Sequence, residues 1–371
     1  VCEEFRRQPD ALERAAELDA AYGRNPDLEK MPMYGVVFSF KDPFDTKDMR
    51  STGGGDAHYD IDFPARDHVL VEQLRNKGAI IFAKAVNTEY NGRPDDPGGP
   101  HKPDKVLTST LGYQCSTWAG NPSNPYDTTR AASLGSSSGS GVSVSTNMVM
   151  CSLGEETRAS CRGPANHNSV ALILPHKALL GFDGGAIGAD IHVDRSGILA
   201  RTIGDAAKVL DALKDPAHGY YDPRDPFTTV PRSSVLDSYA RHTRPADSLK
   251  GMRIGVIRES MTVRPGNLTE VPVTTAAAQE IKSVLGGKLG ATLVESSDPL
   301  WKRDPDIEQM KVDYRVALAR LVPVFMPDVL FRLTGDGQPV FKEFAAAIRP
   351  TEFEPGKVFG SGKMKPIDYM L

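Results

Sequence analysis

Histidine and cysteine are both sparse in this 371-residue chain, at eight and four residues. The histidines are scattered and form no HExxH pair. Cys2, Cys115, Cys151 and Cys161 make no CxxC pair and no disulfide framework, which argues against a structural zinc and fits a reducing compartment. Charge of one sign is missing as well. Lys plus Arg number 44 against 48 Asp plus Glu, a formal net charge of -4, so no field is expected that would gather nucleic acid or an anionic membrane. No apolar run approaches the roughly 20 residues that cross a bilayer, and the opening Val1-Cys2-Glu3-Glu4-Phe5-Arg6-Arg7 lacks a signal-peptide pattern. The expected location is the cytoplasm. The chain opens on Val1 and stops at Leu371, as a piece of a longer polypeptide would.

What is present is enough for a large core, with 40% hydrophobic and 25% charged residues, and this is the composition of a globular protein. No repeat, low-complexity tract or shift in composition divides the chain, and one domain over 1–371 is expected: a helical lead-in over 1–30, a catalytic core over 31–213 and the remainder over 214–371. Ala11, Leu12, Ala15, Leu18, Ala21 and Tyr22 recur at helical spacing behind Asp10, a ready cap. Tyr34 to Phe40 reads as a buried strand that delivers Lys41-Asp42 to its C-terminal end, a common address for catalytic groups in layered folds. A helix over His68 to Lys77, a strand over Gly78 to Ala85, a helix over Val142 to Met148 and strands over Val149 to Leu153 and Ala171 to Leu174 continue the alternation. A helix over Ile203 to Leu213 capped by Thr202, a strand over Met252 to Ile257 and a helix over Val273 to Leu285 complete an α/β pattern. Asn91 to Asp127 and Asp215 to Arg232 read as surface connections.

The chemistry concentrates in two serine-bearing loops, Gly135-Ser136-Ser137-Ser138-Gly139-Ser140-Gly141 and Gly154 to Ala165, downstream of Lys41. A Ser-Lys pair needs no histidine, because a desolvated lysine can accept a proton from a serine hydroxyl. Three plainer readings stand beside it. The Gly-Ser loop has the composition of a flexible linker, and Lys41 alone that of a surface charge. Gly135-Ser136-Ser137-Ser138-Gly139 also fits the G-x-S-x-G elbow with Ser137 as nucleophile, which would call on Asp183 with His192 or His218. Cys161 reads as a buried small hydrophobe.

Taken in order, Lys41-Asp42, Asn124-Pro125-Tyr126-Asp127 with Arg130, the Gly-Ser loop, Thr157 to Ala165 and Ala200 to Ala207 resemble the amidase signature family over roughly Ala11 to Leu213. The resemblance implies a three-layer α/β/α sandwich around a central mixed twisted sheet. It also implies a triad: Ser160 the nucleophile, Ser136, 24 positions earlier, the bridging serine on a cis peptide, and Lys41 the base in a buried, positively biased site. The backbone N–H groups of Thr157, Arg158, Ala159 and Ser160 would bind the oxyanion. Asp42, Ser137, Thr157 and Arg162 would hold the triad by hydrogen bonds, although Arg162 could equally pair with a nearby carboxylate. The chain departs from the family pattern at Arg158-Ala159 in place of Gly-Gly, at Glu155 in place of threonine, at Ser133-Leu134 in place of Pro-Gly and over Pro175 to Gly181. The implied activity is cleavage of a small-molecule amide through an acyl-enzyme, with no metal or organic cofactor, and homodimerisation by analogy. Two other functions fit the resemblance: a glutaminase subunit serving a charged tRNA, and a disabled scaffold of the same fold.

Overall fold

The computed structural model describes residues 10–54, 63–88, 91, 116, 119–120, 122–132, 135–157, 159–184, 194–214, 230–245, 247–257 and 271–296. Described residues up to Thr243 belong to one compact unit and those from Arg244 onward to another.

The first unit opens with α1 (Ala11–Tyr22). Asp10 accepts from the N–H groups of Leu12 and Glu13, and the Glu13 carboxylate accepts from the Asp10 N–H, a reciprocal cap that satisfies donors the first turn would leave orphaned. There follow β1 (Val37–Lys41), α2 (Val69–Asn76), β2 (Ile80–Ala85), a small antiparallel pair β3 (Ser123–Asn124) and β4 (Asp127–Ala131), then α3 (Ser138–Ser145) and β5 (Cys151–Glu156). The unit is completed by α4 (Arg162–His167), β6 (Ala171–Ile173), β7 (Arg195–Ala200) and α5 (Ile203–Leu213), the last capped by the Thr202 hydroxyl on the Asp205 N–H.

Five of these strands form one sheet in the order β2-β1-β5-β7-β6. β1 runs parallel to β2 and β5, while β7 runs antiparallel to β5 and β6. The sheet is therefore mixed, and the C-terminal ends of β1 and β5 open side by side on one edge. Because side chains alternate along a strand, each face collects its own partners. Phe38, Phe40, Leu153 and Ile198 pack with Leu70 and Leu74 of α2 and with Val209, Leu210 and Leu213 of α5. On the opposite face Leu199 packs with Val144, Cys161 and Ala165 beneath α3 and α4. Each fully buried side chain of this size contributes roughly 1.5–3 kcal/mol. Helices thus cover both faces, as expected for an α/β sandwich.

The seam between β1, β5 and α3 is polar. Ser39 Oγ lies 2.9 Å from Ser143 Oγ and donates to Ser152 Oγ at 2.8 Å, and the Ser152 hydroxyl donates to the Ser39 carbonyl at 3.1 Å. These buried hydroxyls satisfy one another where no water reaches. The Gly-Ser segment is built into this layer and is not a linker: α3 begins at Ser138, four residues ahead of the helix read from the sequence. Its glycine content permits close approach, since a Cβ on Gly139 would lie 2.3 Å from the Val86 backbone nitrogen. β5 also runs to Glu156 and not merely to Leu153, so two acidic residues read as loop belong to the sheet.

In the second unit β8 (Arg253–Ile257) pairs in parallel with β9 (Thr292–Ser296), with α6 (Val271–Lys282) and a π-helical turn, Ser283–Lys288, between them in sequence. Lys282 and Glu295 form an ion pair at 2.7 Å. Among the described residues no helix is long and apolar enough to cross a membrane.

Candidate active site

Lys41 closes β1, and its side chain is 0% exposed. Its Nζ donates to Ser136 Oγ at 2.7 Å, to Asn91 Oδ1 at 2.7 Å and to Glu155 Oε2 at 2.5 Å, with the Glu155 carbonyl at 3.2 Å. Asn91 in turn donates from Nδ2 to the same Glu155 oxygen at 2.7 Å. Asn91 sits at a φ of 61°, a left-handed conformation that asparagine tolerates better than most residues. The expected burial of Lys41 is present. The expected positive bias is not: the charged group against Lys41 is a carboxylate, itself 0% exposed, because the strand end read as a loop turns Glu155 inward beside the lysine.

Ser136 is buried and its carbonyl accepts from the Thr88 N–H at 3.1 Å. The cis peptide expected at Ser136 is absent, since every peptide bond among the described residues is trans. The trans backbone already brings the hydroxyl to 2.7 Å from Lys41, so that contact asks for no costlier isomer. Ser137 is fully buried and stitches the two loops together. Its N–H donates to the Ser160 carbonyl at 3.0 Å, and its hydroxyl donates to the Glu155 carbonyl at 3.0 Å. The Ser137 hydroxyl also lies 3.7 Å from Cys161 Sγ, and His192 and His218, on which the elbow reading calls, lie outside the described residues.

Ser160 follows Ala159 in the turn between β5 and α4 and is partly exposed. Its backbone is tied to Ser137, while its hydroxyl makes no hydrogen bond among the described residues. The N–H groups of Ala159 and Ser160 likewise have no partner among the described residues, which leaves them able to bind a developing oxyanion. Arg158 lies outside the described residues. Thr157 directs its hydroxyl to Asp194 Oδ1 at 2.6 Å and to Glu155 Oε1 at 3.5 Å.

The turn is held by Glu156, fully buried at the end of β5. Its Oε2 accepts from the N–H groups of Cys161 and Arg162, both at 2.9 Å, and its Oε1 accepts from Arg162 Nε at 2.7 Å, with Arg195 Nη2 at 3.6 Å. Arg162 therefore serves as the structural partner of a carboxylate. Asp42 does not touch Lys41 among the described residues; its carboxylate accepts from Thr52 Oγ1 at 3.0 Å and the Gly54 N–H at 3.1 Å, fixing the loop after β1. Cys161 fits beneath the sheet because Gly154 leaves room for it, a Cβ there meeting its Sγ at 2.8 Å. Burial pushes the Cys161 thiol up to about 12, so it is no nucleophile at neutral pH.

Sequence reasoning gives no role to Glu155, Glu156, Asn91 or Asp194. The first two leave no local signal, since glutamates after a strand are ordinarily solvated; once buried they need cations or donors, and Lys41, Arg162 and Arg195 supply them. Among the described residues no three of His, Cys, Asp or Glu cluster so as to hold a metal ion.

A family model described as Amidase matches residues 5–299. A probable amidase of Arabidopsis thaliana is 33% identical over 253 residues, covering 67% of this chain and 45% of that protein. A subunit of the glutamyl-tRNA(Gln) amidotransferase of Anaeromyxobacter sp. (strain K) is 32% identical over 290 residues, covering 78% of this chain and 50% of its own length. The chain thus spans half or less of these two relatives. Among solved structures, native peptide amidase from Stenotrophomonas maltophilia superposes with a TM-score of 0.60 at 26% identity, covering 86% of this chain and 59% of that one.

Proposed function

The chain belongs to the amidase family, and on that premise we propose that it hydrolyses the C–N bond of a small carboxylic amide, with Ser160 as nucleophile, Ser136 as proton bridge and Lys41 as base. The observation that carries this reading is the buried contact of 2.7 Å between Lys41 Nζ and Ser136 Oγ, groups 95 positions apart in the chain. The two meet at the open edge of the parallel strands, beside the turn whose Ser160 carbonyl accepts from the Ser137 N–H at 3.0 Å.

The proposed reaction starts with the Ser160 hydroxyl, which has no hydrogen-bond partner among the described residues, turning to Ser136. Neutral Lys41 accepts the Ser136 proton while Ser136 accepts that of Ser160, and the Ser160 oxygen attacks the amide carbon. The N–H groups of Ala159 and Ser160 stabilise the oxyanion. On collapse the C–N bond breaks, and the proton held on Lys41 returns through Ser136 to the departing amine. Water then enters by the same relay, its hydroxide attacking the acyl carbon and its proton finally restoring Ser160. Esters and carbamates present the same carbonyl to the same groups.

The test is reaction of the purified chain with a fluorophosphonate probe followed by peptide mapping. Labelling should be confined to Ser160 and vanish in Ser160→Ala. Lys41→Ala should slow it by about 10²–10⁴, the usual worth of a general base. Because losing Lys41 strands a buried Glu155 carboxylate at a cost of about 3–5 kcal/mol, the pair Lys41→Met with Glu155→Leu is measured beside it. Full amide turnover by Ser160→Ala, or labelling at Ser137, would overturn the assignment.

A second reading is favoured by the Anaeromyxobacter relative, which is part of an amidotransferase and whose match takes in 78% of this chain. In that case the amide is glutamine and ammonia passes to a charged tRNA. Glutaminase activity that appears only with partner subunits would select it.

A further inference from the structure

The three N–H donors of a lysine ammonium face four acceptor atoms around Lys41: Ser136 Oγ, Asn91 Oδ1, and the carboxylate and carbonyl oxygens of Glu155. A relay that begins with a neutral amine must first lose one of those protons to solvent. With Glu155 ionised, that loss takes a buried pair from zero net charge to one uncompensated negative charge. Both the Coulombic attraction at 2.5 Å and the desolvation of a lone carboxylate oppose it.

Among the described residues the surrounding charges do not relieve this. On β5, Glu156 is already engaged by Arg162 of α4 and by Arg195 of β7. Asp42, at the exit of β1, is engaged by Thr52 and Gly54. Asp194, ahead of β7, is linked to Glu155 through the Thr157 hydroxyl. Cys161, at the start of α4, stays a neutral thiol, and Asn91 and Ser136 carry no charge. Among the described residues Lys41 is the cation that faces Glu155.

Resting on the Ser-Lys reading above, we propose that Glu155 is a positioning residue that acts through Lys41: its buried carboxylate holds the lysine as ammonium, fixes its direction toward Ser136, and sets the pH above which the serine becomes reactive. Replacing Glu155 by glutamine keeps an oxygen for Lys41 and changes the ionisation from neutral-to-negative into positive-to-neutral. Burial then favours the proton's departure instead of opposing it.

The experiment is the rate of fluorophosphonate labelling at Ser160 between pH 5 and 10 in the 371-residue chain, in Glu155→Gln and in Glu155→Asp. In the parent, labelling should rise across the upper part of this range, because the Glu155 carboxylate at 2.5 Å opposes loss of the ammonium proton. Glu155→Gln should move the half-maximal pH down by roughly 1–3 units, so that at one pH on the acid limb it reacts at least about tenfold faster. Glu155→Asp, which keeps the charge, should stay near the parent profile. A role confined to packing would change the maximal rate and leave the midpoint where it was. An unmoved midpoint in Glu155→Gln overturns this inference and leaves the Ser-Lys assignment standing. Should Glu155→Gln fail to fold, the parent profile decides: labelling already maximal at pH 6 overturns the inference. A parent unlabelled at Ser160 at every pH overturns the assignment and this inference together.

Discussion

Replacing Glu156 by glutamine tests whether the turn that bears Ser160 is held from below. Glu156 Oε2 accepts two backbone N–H bonds of 2.9 Å from Cys161 and Arg162, and hydrogen bonds to a charged group contribute roughly 1.5–3 kcal/mol each. A neutral amide oxygen can still accept both at about half the strength, so the backbone share of the loss is about 1.5–3 kcal/mol. The Arg162 side chain is 59% exposed, so its ion pair adds at most about 1 kcal/mol after screening. For a unit of this size each kcal/mol lowers the Tm by about 2–4 °C, giving an expected fall of roughly 3–16 °C for Glu156→Gln. Labelling at Ser160 should drop further than stability alone explains, because the N–H groups of Ala159 and Ser160 are aimed by the turn that Glu156 anchors. The assays are a calorimetric melt and the probe reaction at a temperature where both proteins are folded. A Tm within 1 °C of the parent, or an unchanged labelling rate, would refute the reasoning.

Two further outcomes follow from single positions. His68 is buried among Phe44 and Phe182, and burial pulls its imidazole down to about 3. The unfolded chain therefore binds a proton near pH 6.5 that the native state refuses; this stability is complete above pH 6.5 and is lost as pH falls toward 3, with a slope of up to about 1.36 kcal/mol per pH unit. In His68→Asn, which can still cap the Leu70 N–H that His68 Nδ1 now accepts at 3.0 Å, urea unfolding between pH 4 and 6.5 should show a shallower slope, and an unchanged slope would contradict the assignment. Gly139→Ala forces a Cβ to 2.3 Å from a backbone nitrogen that no side-chain motion relieves, so the urea midpoint should fall by the equivalent of at least about 1–3 kcal/mol; a neutral effect would mean that α3 does not approach Val86 so closely.

What can be read ahead of the structure is whatever a local signal carries. Asp10 and Thr202 announce the starts of α1 and α5 because their side chains bond the next turn, and both helices begin where those caps stand. The end of β5 is hidden for the opposite reason. Glu155 and Glu156 look like solvent residues until Lys41, Asn91, Arg162 and Arg195, from four other segments, are brought to them. β7 escapes a reading by pattern because Arg195, Ser196 and Gly197 interrupt its apolar run, while in the sheet Arg195 reaches Glu156 and Ser196 and Gly197 lie within the buried ladder. At the site, the neighbourhood of Lys41 and Ser136 is legible through family pattern. The charge that faces Lys41 is not, since it depends on which way one strand end turns.

The hydroxyl seam of Ser39, Ser143 and Ser152 bears on how the chain finds its one native pairing. An apolar strand as short as β1 could slide along β5 with little loss of oil-like contact. A slip of one residue turns every side chain to the other face, which would strand the Ser39 and Ser152 hydroxyls against Phe40 and Leu153 and drive Lys41 into the aromatic layer. The seam makes that mistake expensive two residues before the lysine, so Ser39 acts as an alignment pin whose accuracy is passed on to the Nζ atom.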